Sequence, residues 1–311
     1  MIKLRIGAIG LGVISRFYLA AIDALTSVEL AAVCDVREAA LEPFTGTVKT
    51  YRDHRELLAR ADVDAVIISV PNDAHAQVCR DSLLAGVGAC VEKPLAIRLA
   101  DAHELAQLAD DRGVALFTAF HRRYNENIIA LRRRLPEATA VTSMTVRYLE
   151  RIEEHVGADG WYLDLERCGG GCVADNGPNA FDLVRYFLGD VSVSEVEIHR
   201  DSRGLDRQAV IVLATACGAS ALVELDWSYP GERKDVDIML ADGTAHHAGM
   251  LLGYPEFKGS LWHEYIGILK DFEEAVRTGG NVSRDGVAAV EIVDRVYAAE
   301  RVGPDTAVAS L

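Results

Sequence analysis

The chain has no Cys-x-x-Cys pair, no apolar run long enough to span a membrane, and no internal repeat or low-complexity tract. Its six cysteines, Cys34, Cys79, Cys90, Cys168, Cys172 and Cys217, fall mostly in apolar, strand-like surroundings, where a reduced thiol serves as a small hydrophobe. Cys168 and Cys172 are the one close pair, and without paired His or Cys ligands beside them no metal site is expected. Positive charge is scarce as well. The 32 Lys and Arg are outnumbered by 47 Asp and Glu, and the resulting net charge of −15 repels polyanions, which excludes nucleic acid as a partner. The single basic run, Arg132 to Arg134, reads as the solvated face of a helix. The opening "MIKLRIGAIGLG" reads as a strand and a turn, not as a signal peptide or membrane span, so a cytoplasmic protein without membrane contact is expected.

What is present is a chain of 311 residues, half of them hydrophobic, enough for a large core in two domains or one large α/β domain. Over residues 1–120, short apolar runs ("LRIGAIG", "VELAAVCD", "VDAVIISV", "VGACVEK", "VALFTAF") alternate with amphipathic stretches ("SRFYLAAIDAL", "HRELLAR", "HAQVCRDSLLAG", "RLADAHELAQLADDRG"). That alternation predicts βαβ units around a parallel sheet. From residue 121 the rhythm changes. Strand-like runs follow one another ("AVTSMTVRYLE", "VSEVEIHR", "RQAVIVLATACGASALVELDWSYP", "KDVDIMLADGTAHHA"), with hairpin turns at "ATACGASA" and "LADGTA". A second, mostly antiparallel sheet is therefore predicted in 121–311, closed by helices over "LWHEYIGILKDFEEAVRTG" and "RDGVAAVEIVDRVYAAER".

The first strand ends in Gly10-Leu11-Gly12-Val13-Ile14-Ser15 and then a helix. Gly10 permits a tight turn, Gly12 lets backbone approach a pyrophosphate at the helix N-terminus, and Ser15 stands where a small residue allows close packing. Asp35, at the end of the second strand, stands where a carboxylate would accept both adenosine ribose hydroxyls, which favours NAD; Arg37, two residues on, leaves room for NADP. The stretch Ser69 to His75 ("SVPNDAH") ends a central strand and so faces the same crevice, with Pro71 and Asn72 under the nicotinamide half. His75 is either a capping or surface residue or a ligand contact. In "VEKPLA", Glu92 and Lys93 follow an apolar strand; a lysine aimed into a cleft can donate to a substrate oxygen, and partial burial is expected to lower its pKa. The residues expected around the cofactor are thus Gly10, Gly12, Val13, Ile14, Asp35, Arg37, Ser69, Pro71, Asn72, His75, Glu92 and Lys93.

Taken with "GGGCVADNGPNAFD" at 169–182, these motifs resemble, in order and over nearly the whole chain, the Gfo/Idh/MocA oxidoreductases, the family of glucose-fructose oxidoreductase and inositol 2-dehydrogenase. The resemblance implies an N-terminal Rossmann domain for NAD, and a C-terminal α+β domain with a large open sheet that carries substrate and the contacts of a homodimer or homotetramer. It implies hydride transfer between nicotinamide and a secondary alcohol or ketone of a sugar or cyclitol. In the family the glycine-rich segment resembles G-G-G-x-x-x-D-x-G-x-H-x-x-D, where the first Asp and the His join the lysine of Glu-Lys-Pro. Here those acids are Asp175 and Asp182, but the histidine position is Asn179.

An amide neither takes nor gives a proton at neutral pH. Asn179 is therefore read as orienting the substrate, with Lys93 as the acid or base and Asp175 as its partner. His121 and Tyr124 in "FHRRYN" stand ready either to replace the missing group or to touch substrate. Helix capping is the alternative for Asp175 and Asn179, although Asn176-Gly177-Pro178 supplies cap and turn chemistry without them. Residues 150–166 hold six acids against one arginine, with Trp161 and Tyr162 among them. Such a loop suits a polyhydroxylated ring bearing ammonium groups, as in an amino sugar or aminoglycoside, and Asn176 joins the expected substrate contacts. The rival from another class is a catalytically silent NAD-binding regulator, for which the Asn179 departure speaks.

Overall fold

The computed structural model describes residues 2–135, 141–156, 160–254, 262–280 and 282–302. Its first half is a six-stranded, all-parallel sheet built of β1 (Leu4–Ile9), β2 (Val28–Cys34), β3 (Lys49–Tyr51), β4 (Ala65–Ile68), β5 (Gly88–Glu92) and β6 (Leu116–Ala119). The strand order is β3-β2-β1-β4-β5-β6, so the direction of winding reverses between β1 and β4. The helices that cross between strands cover both faces, which is why β4 (Ala-Val-Ile-Ile) and β5 are buried throughout and read as apolar runs up to Glu92, the last residue of β5. Helix Leu99–Arg112 stops at Gly113, whose φ of 62° is the left-handed cap that glycine takes at least cost.

The second sheet contains β7 (Val141–Arg151), β8 (Ser192–Arg200), β9 (Asp206–Ala214), β10 (Ser220–Asp226), β11 (Ser228–Leu240) and β12 (Ala245–Gly249), in the order β12-β11-β7-β10-β9-β8. All pairs are antiparallel except β7 with β10, so the sheet is mixed. Alternate residues of β10 are buried, as expected of a sheet with one covered face. The cover is helix Gly177–Leu188, nearly all of it buried, and Phe181, Val184 and Phe187 join Val146, Val223 and Trp227 in one core. The strand β11 begins earlier than the sequence pattern predicts, because a register shift between Ser228 and Glu232 absorbs Pro230, which has no N–H for the ladder.

The two closing helices, Trp262–Thr278 and Arg284–Val302, return to the first half. Tyr265 stacks on Phe17 with ring centroids 5.1 Å apart and meets Tyr18 edge-on at 4.8 Å, so helix Trp262–Thr278 shares a core with helix Ser15–Ala24. Helix Arg284–Val302 packs between helix Leu99–Arg112, helix Gly177–Leu188 and β8. No helix among the described residues is long and apolar enough to cross a membrane.

Candidate active site

A cavity of about 740 Å³ opens at the carboxyl ends of β1 and β4 and runs to the start of helix Gly177–Leu188. A crevice at the point where the strand order reverses is where parallel α/β sheets take their ligands, and the volume of this one is that of a ligand pocket. At one end Gly10 turns with a φ of 89°, and a Cβ there would lie 2.5 Å from the Ser69 carbonyl oxygen. Two bonds hold the turn: the Gly10 N–H donates to the Cys34 carbonyl at 2.8 Å, and Ser69 Oγ donates to the Gly10 carbonyl at 2.9 Å. The buried Ser15 opens the following helix and donates its Oγ to the Gly12 carbonyl at 2.7 Å. Because even one methyl group collides here, Gly10→Ala is expected to weaken NADH binding about tenfold or more, read from nicotinamide fluorescence.

Asp35 lies buried at the end of β2 and accepts the N–H groups of Leu11 at 2.7 Å and Arg37 at 2.8 Å. The half-exposed Arg37 guanidinium folds back on it, with Nε at 3.1 Å. Burial works to raise the Asp35 pKa, but Arg37 and the backbone donors outweigh it and hold the carboxyl below its ordinary value. The residues fit a bound dinucleotide: a helix N-terminus, a backbone cradle that a side chain would fill, and an ionised carboxylate with Arg37 at its edge.

At the other end, Lys93 follows β5 and donates its Nζ to Asp175 Oδ1 at 2.5 Å and to the Asp175 carbonyl at 3.0 Å. The expected lowering of its pKa is reversed. Burial acts in that direction, but the adjoining Asp175 and Glu92 carboxylates prevail and raise it, so Lys93 is an ammonium at neutral pH. Glu92 itself accepts from Tyr18 Oη at 2.7 Å, and burial pushes its carboxyl up to about 7. Asn176 Nδ2 donates to Glu150 Oε1 at 2.7 Å, and Lys234 Nζ bridges Glu150 and Glu232 at 2.6 Å each. Burial opposes ionisation of Glu150, yet Lys234 and Asn176 bring it down to about 2. Glu150, His155 and Glu232 place ligand atoms within 4.8 Å of one another, but the Lys234 ammonium stands where a cation would.

The 3-10 turn His121–Tyr124 sorts its side chains. His121 and Arg122 point inward to the cavity, and Glu264, fully buried on helix Trp262–Thr278, accepts from His121 Nδ1 at 2.5 Å, Asn125 Nδ2 at 2.7 Å and Arg122 Nη1 at 3.2 Å. Arg122 Nε also donates to Tyr148 Oη at 3.0 Å. Arg123 is clamped by Asp182 and Asp285, which fixes the turn against helix Gly177–Leu188. Burial, helped by the Arg122 and Lys93 cations against the pull of Glu264, brings the His121 imidazole down to about 4.

Of the residues singled out from sequence, the cavity wall brings together Gly10, Gly12, Val13, Ile14, Asp35, Arg37, Ser69, Pro71, Asn72, His75, Glu92, Lys93, His121, Trp161, Tyr162, Asp175, Asn176 and Asn179. Tyr124 is absent from it. Its hydroxyl donates to Asp271 Oδ2 at 2.6 Å on the far side of the turn, because the 3-10 geometry aims it at helix Trp262–Thr278. His75 is neither a cap nor a surface residue: it is buried, with Nδ1 2.7 Å from the Pro94 carbonyl and Nε2 2.9 Å from the Val70 carbonyl, bracing the strand ends. Asn72 Nδ2 likewise donates to the Cys168 carbonyl at 3.1 Å. Helix capping does not account for Asp175 or Asn179, which face Lys93 and His121, and Asn176, expected to supply the cap, makes no side-chain cap bond because its amide is turned to Glu150.

The acidic stretch is also distributed differently from the expectation. Glu153 pairs with Arg207 at 2.8 Å, Glu154 with Arg151 at 3.4 Å, Asp164 caps helix Leu165–Cys168 and Glu166 within that helix lies off the cavity wall, so Glu150, on β7, is the described acid of 150–166 that lines the cavity. Asp159 lies outside the described residues. Sequence reading missed Arg122, Tyr148, Lys234, Glu264 and Asp206. Glu264 left a trace: it shares a helical face with Ile268 and Phe272, where a charge is out of place. Asp206 accepts the N–H groups of Gly171 at 2.7 Å and Val173 at 2.8 Å, and a Cβ on Gly171 would lie 2.1 Å from the Asp206 carbonyl oxygen, which explains one glycine of the triplet.

Residues 4–120 match the family model described as the oxidoreductase family with NAD-binding Rossmann fold, and residues 137–246 match that of the GFO/IDH/MocA C-terminal domain. Myo-inositol 2-dehydrogenase of Thermotoga maritima is 31% identical over 196 residues, which span 62% of this chain and only 57% of that protein. The rhizopine catabolism protein MocA of Rhizobium meliloti is 26% identical over 306 residues, 94% of each chain. Among solved structures, GenD2 from gentamicin A biosynthesis, in complex with NAD, shares the fold with a TM-score of 0.86 at 22% identity, over 98% of this chain and 96% of that one. The chain belongs to the GFO/IDH/MocA oxidoreductase family, and its first half is that family's NAD-binding Rossmann domain.

Proposed function

We infer that the protein is an NAD(H)-dependent oxidoreductase that moves hydride between nicotinamide and a secondary alcohol or ketone on a sugar or cyclitol. The observation that carries this reading is the Lys93 ammonium, fixed 2.5 Å from Asp175 in the same cavity as the Gly10 turn. Nicotinamide, when bound, supplies or accepts the hydride. Gly10, Gly12, Val13, Ile14 and Asp35 hold the adenosine and pyrophosphate half, and Ser69, Pro71, Asn72 and Glu92 border the nicotinamide half. Lys93 donates a hydrogen bond to the oxygen on the reacting carbon and stabilises the charge that develops there; Asp175 keeps it charged and aimed. Asn179 binds a substrate hydroxyl: its Oδ1 is buried with no hydrogen-bond partner, an acceptor waiting for a donor.

Glu150, Asn176 and the Lys234 ammonium offer acceptors and donors side by side, and Trp161 offers a ring face, a combination suited to a polyhydroxylated ring. Relatives named myo-inositol 2-dehydrogenase and 1,5-anhydro-D-fructose reductase support that substrate class. The narrower proposal, an amino-substituted ring, loses its support: Glu150, the described acid of 150–166 on the cavity wall, already pairs with the Lys234 ammonium. NADP use requires Arg37 to swing off Asp35. The reading divides the chain into a cofactor-binding domain, 1–120, and a substrate-binding and oligomerisation domain, 121–311. A second copy, in a homodimer or homotetramer, would cover the open face of the second sheet, where Val210 and Met239 are exposed. The six free cysteines, five of them buried, favour the cytoplasm.

The test is the near-UV absorbance of reduced nicotinamide when the protein and NAD meet myo-inositol, neutral sugars and aminoglycosides. Turnover of at least one ring class is expected. The second reading, a silent NAD-binding sensor, is favoured by Asn179, which transfers no proton; tight NADH binding with no turnover in either direction would select it.

A further inference from the structure

Within the oxidoreductase reading, on which this inference rests, the position that should carry a histidine carries an amide, and Lys93, already protonated, has no vacancy for a proton. Oxidation of an alcohol nevertheless releases one. We propose that His121, presented from the turn after β6 and held by Glu264, replaces the absent histidine as the acceptor of that proton.

The argument is geometric. Glu264, ionised and fully buried, offers only acceptors, so the His121 nitrogen 2.5 Å from it, Nδ1, carries the ring proton. Nε2 is then a lone pair. It faces Asn179 Nδ2 at 3.4 Å, a long contact, which identifies the amide end nearest the ring as the NH2 group and turns Oδ1 the other way, unpartnered. The His121 ring is stacked on Tyr265 with centroids 5.6 Å apart and its orientation is fixed by Glu264, so the lone pair is aimed and does not wander. The charged and titratable groups facing it are Glu264 and Tyr265 from helix Trp262–Thr278, Arg122 beside it and Lys93 from the end of β5. Burial, aided by the two cations, keeps the resting ring neutral, and one carboxylate stands ready to stabilise the imidazolium once formed.

In oxidation the carbinol O–H bond breaks and its proton goes to Nε2, giving an imidazolium paired with Glu264. The C–H electron pair leaves as hydride to the bound nicotinamide while the carbon–oxygen double bond forms. Lys93 keeps its proton and holds the oxygen. Asn179, next to Nε2, donates no proton and sets the angle of the hydroxyl. Glu264 is a positioning residue, acting through the ring.

Two measurements on the full chain test this. The first needs no substrate: long-range 1H–15N correlation of the apoprotein at pH 7, with the His121 signals identified by their loss in His121→Gln. A neutral ring protonated on Nδ1 is expected; an imidazolium, or a ring protonated on Nε2, overturns the proposal. The second is steady-state oxidation of whichever of myo-inositol, a neutral sugar or an aminoglycoside the wild type turns over. His121→Gln is expected to lower kcat about 100-fold or more at pH 7, in the range of lost general-base catalysis, and to abolish the acid limb of the pH profile, with NADH affinity kept within about threefold. Placing histidine back at the family position, in His121→Gln/Asn179→His, is expected to recover at least tenfold of that loss. A His121→Gln variant that keeps kcat within about threefold, or that loses NADH binding in step with kcat, overturns the proposal alone. A wild type that binds NADH but turns over nothing overturns the oxidoreductase reading with it.

Discussion

Replacing Lys93 with methionine is expected to lower kcat by about a thousandfold or more while leaving NADH affinity within about threefold. Methionine keeps the length and apolar stem of the side chain but removes the ammonium, so Asp175 loses the partner that sits at 2.5 Å and the reacting oxygen loses its donor. The donor is preorganised: two bonds to Asp175, one to the side chain and one to the carbonyl, fix Nζ before substrate arrives, and the raised pKa guarantees its proton. Nicotinamide fluorescence titration and initial rates separate the two effects. Retention of more than about a tenth of the wild-type kcat would remove Lys93 from the chemistry.

Glu264→Gln is the second large effect, and it is one of stability. Arg122 is only 1% exposed and Glu264 not at all, so removing the carboxylate charge takes from a buried guanidinium the carboxylate bonded to it at 3.2 Å. Breaking a buried pair from one side costs about 3–5 kcal/mol, to be read from the urea midpoint. The pH dependence has a definite sign. Burial alone would raise the Glu264 pKa, but Arg122 and His121 take it down to about 2, below its unfolded value. Its contribution is therefore fully present above an unfolded carboxyl pKa of about 4.3 and is lost as pH falls toward 2. The Gln variant lacks that contribution at every pH, so its stability falls less steeply in acid. A variant within about 1 kcal/mol of wild type would show that the network, although buried, adds nothing to stability.

Much of this arrangement is written in the sequence, for reasons that differ by element. The parallel sheet, the Gly10 turn and Asp35 are local patterns: an apolar run, a turn and a helix within a few positions, each restricted by backbone geometry to few alternatives. Lys93 and Asp175 were legible as a pair only through the family resemblance, since 82 positions separate them, and for that reason the direction of the lysine's pKa shift was misjudged. Burial was inferable from the neighbouring strand and Asp175 from the resemblance, but not that the carboxylates outweigh burial.

The turn at 121–124 failed for a different reason. In an irregular 3-10 segment no period tells which of four successive polar side chains enters the cleft, so His121 and Tyr124 looked equivalent, whereas one faces the cavity and the other Asp271, 147 positions away. The partners that settle such choices, Glu264 for His121 and Lys234 for Glu150, lie 143 and 84 positions downstream. The acidic loop misled because charge composition does not record direction: Glu153 and Glu154 found arginines outside the cavity.

The most direct test of the central claim follows the transferred atom. Myo-inositol deuterated at its ring carbons, with neutral sugars and aminoglycosides labelled likewise, is incubated with the protein and NAD, and the recovered cofactor is weighed by mass spectrometry. Hydride transfer from a ring carbon predicts reduced nicotinamide carrying one deuterium from at least one of these rings, and none when Lys93→Met replaces the wild type. Cofactor recovered oxidised and unlabelled from every ring, by a protein that binds NADH tightly, would contradict the account and leave the chain a sensor of nicotinamide.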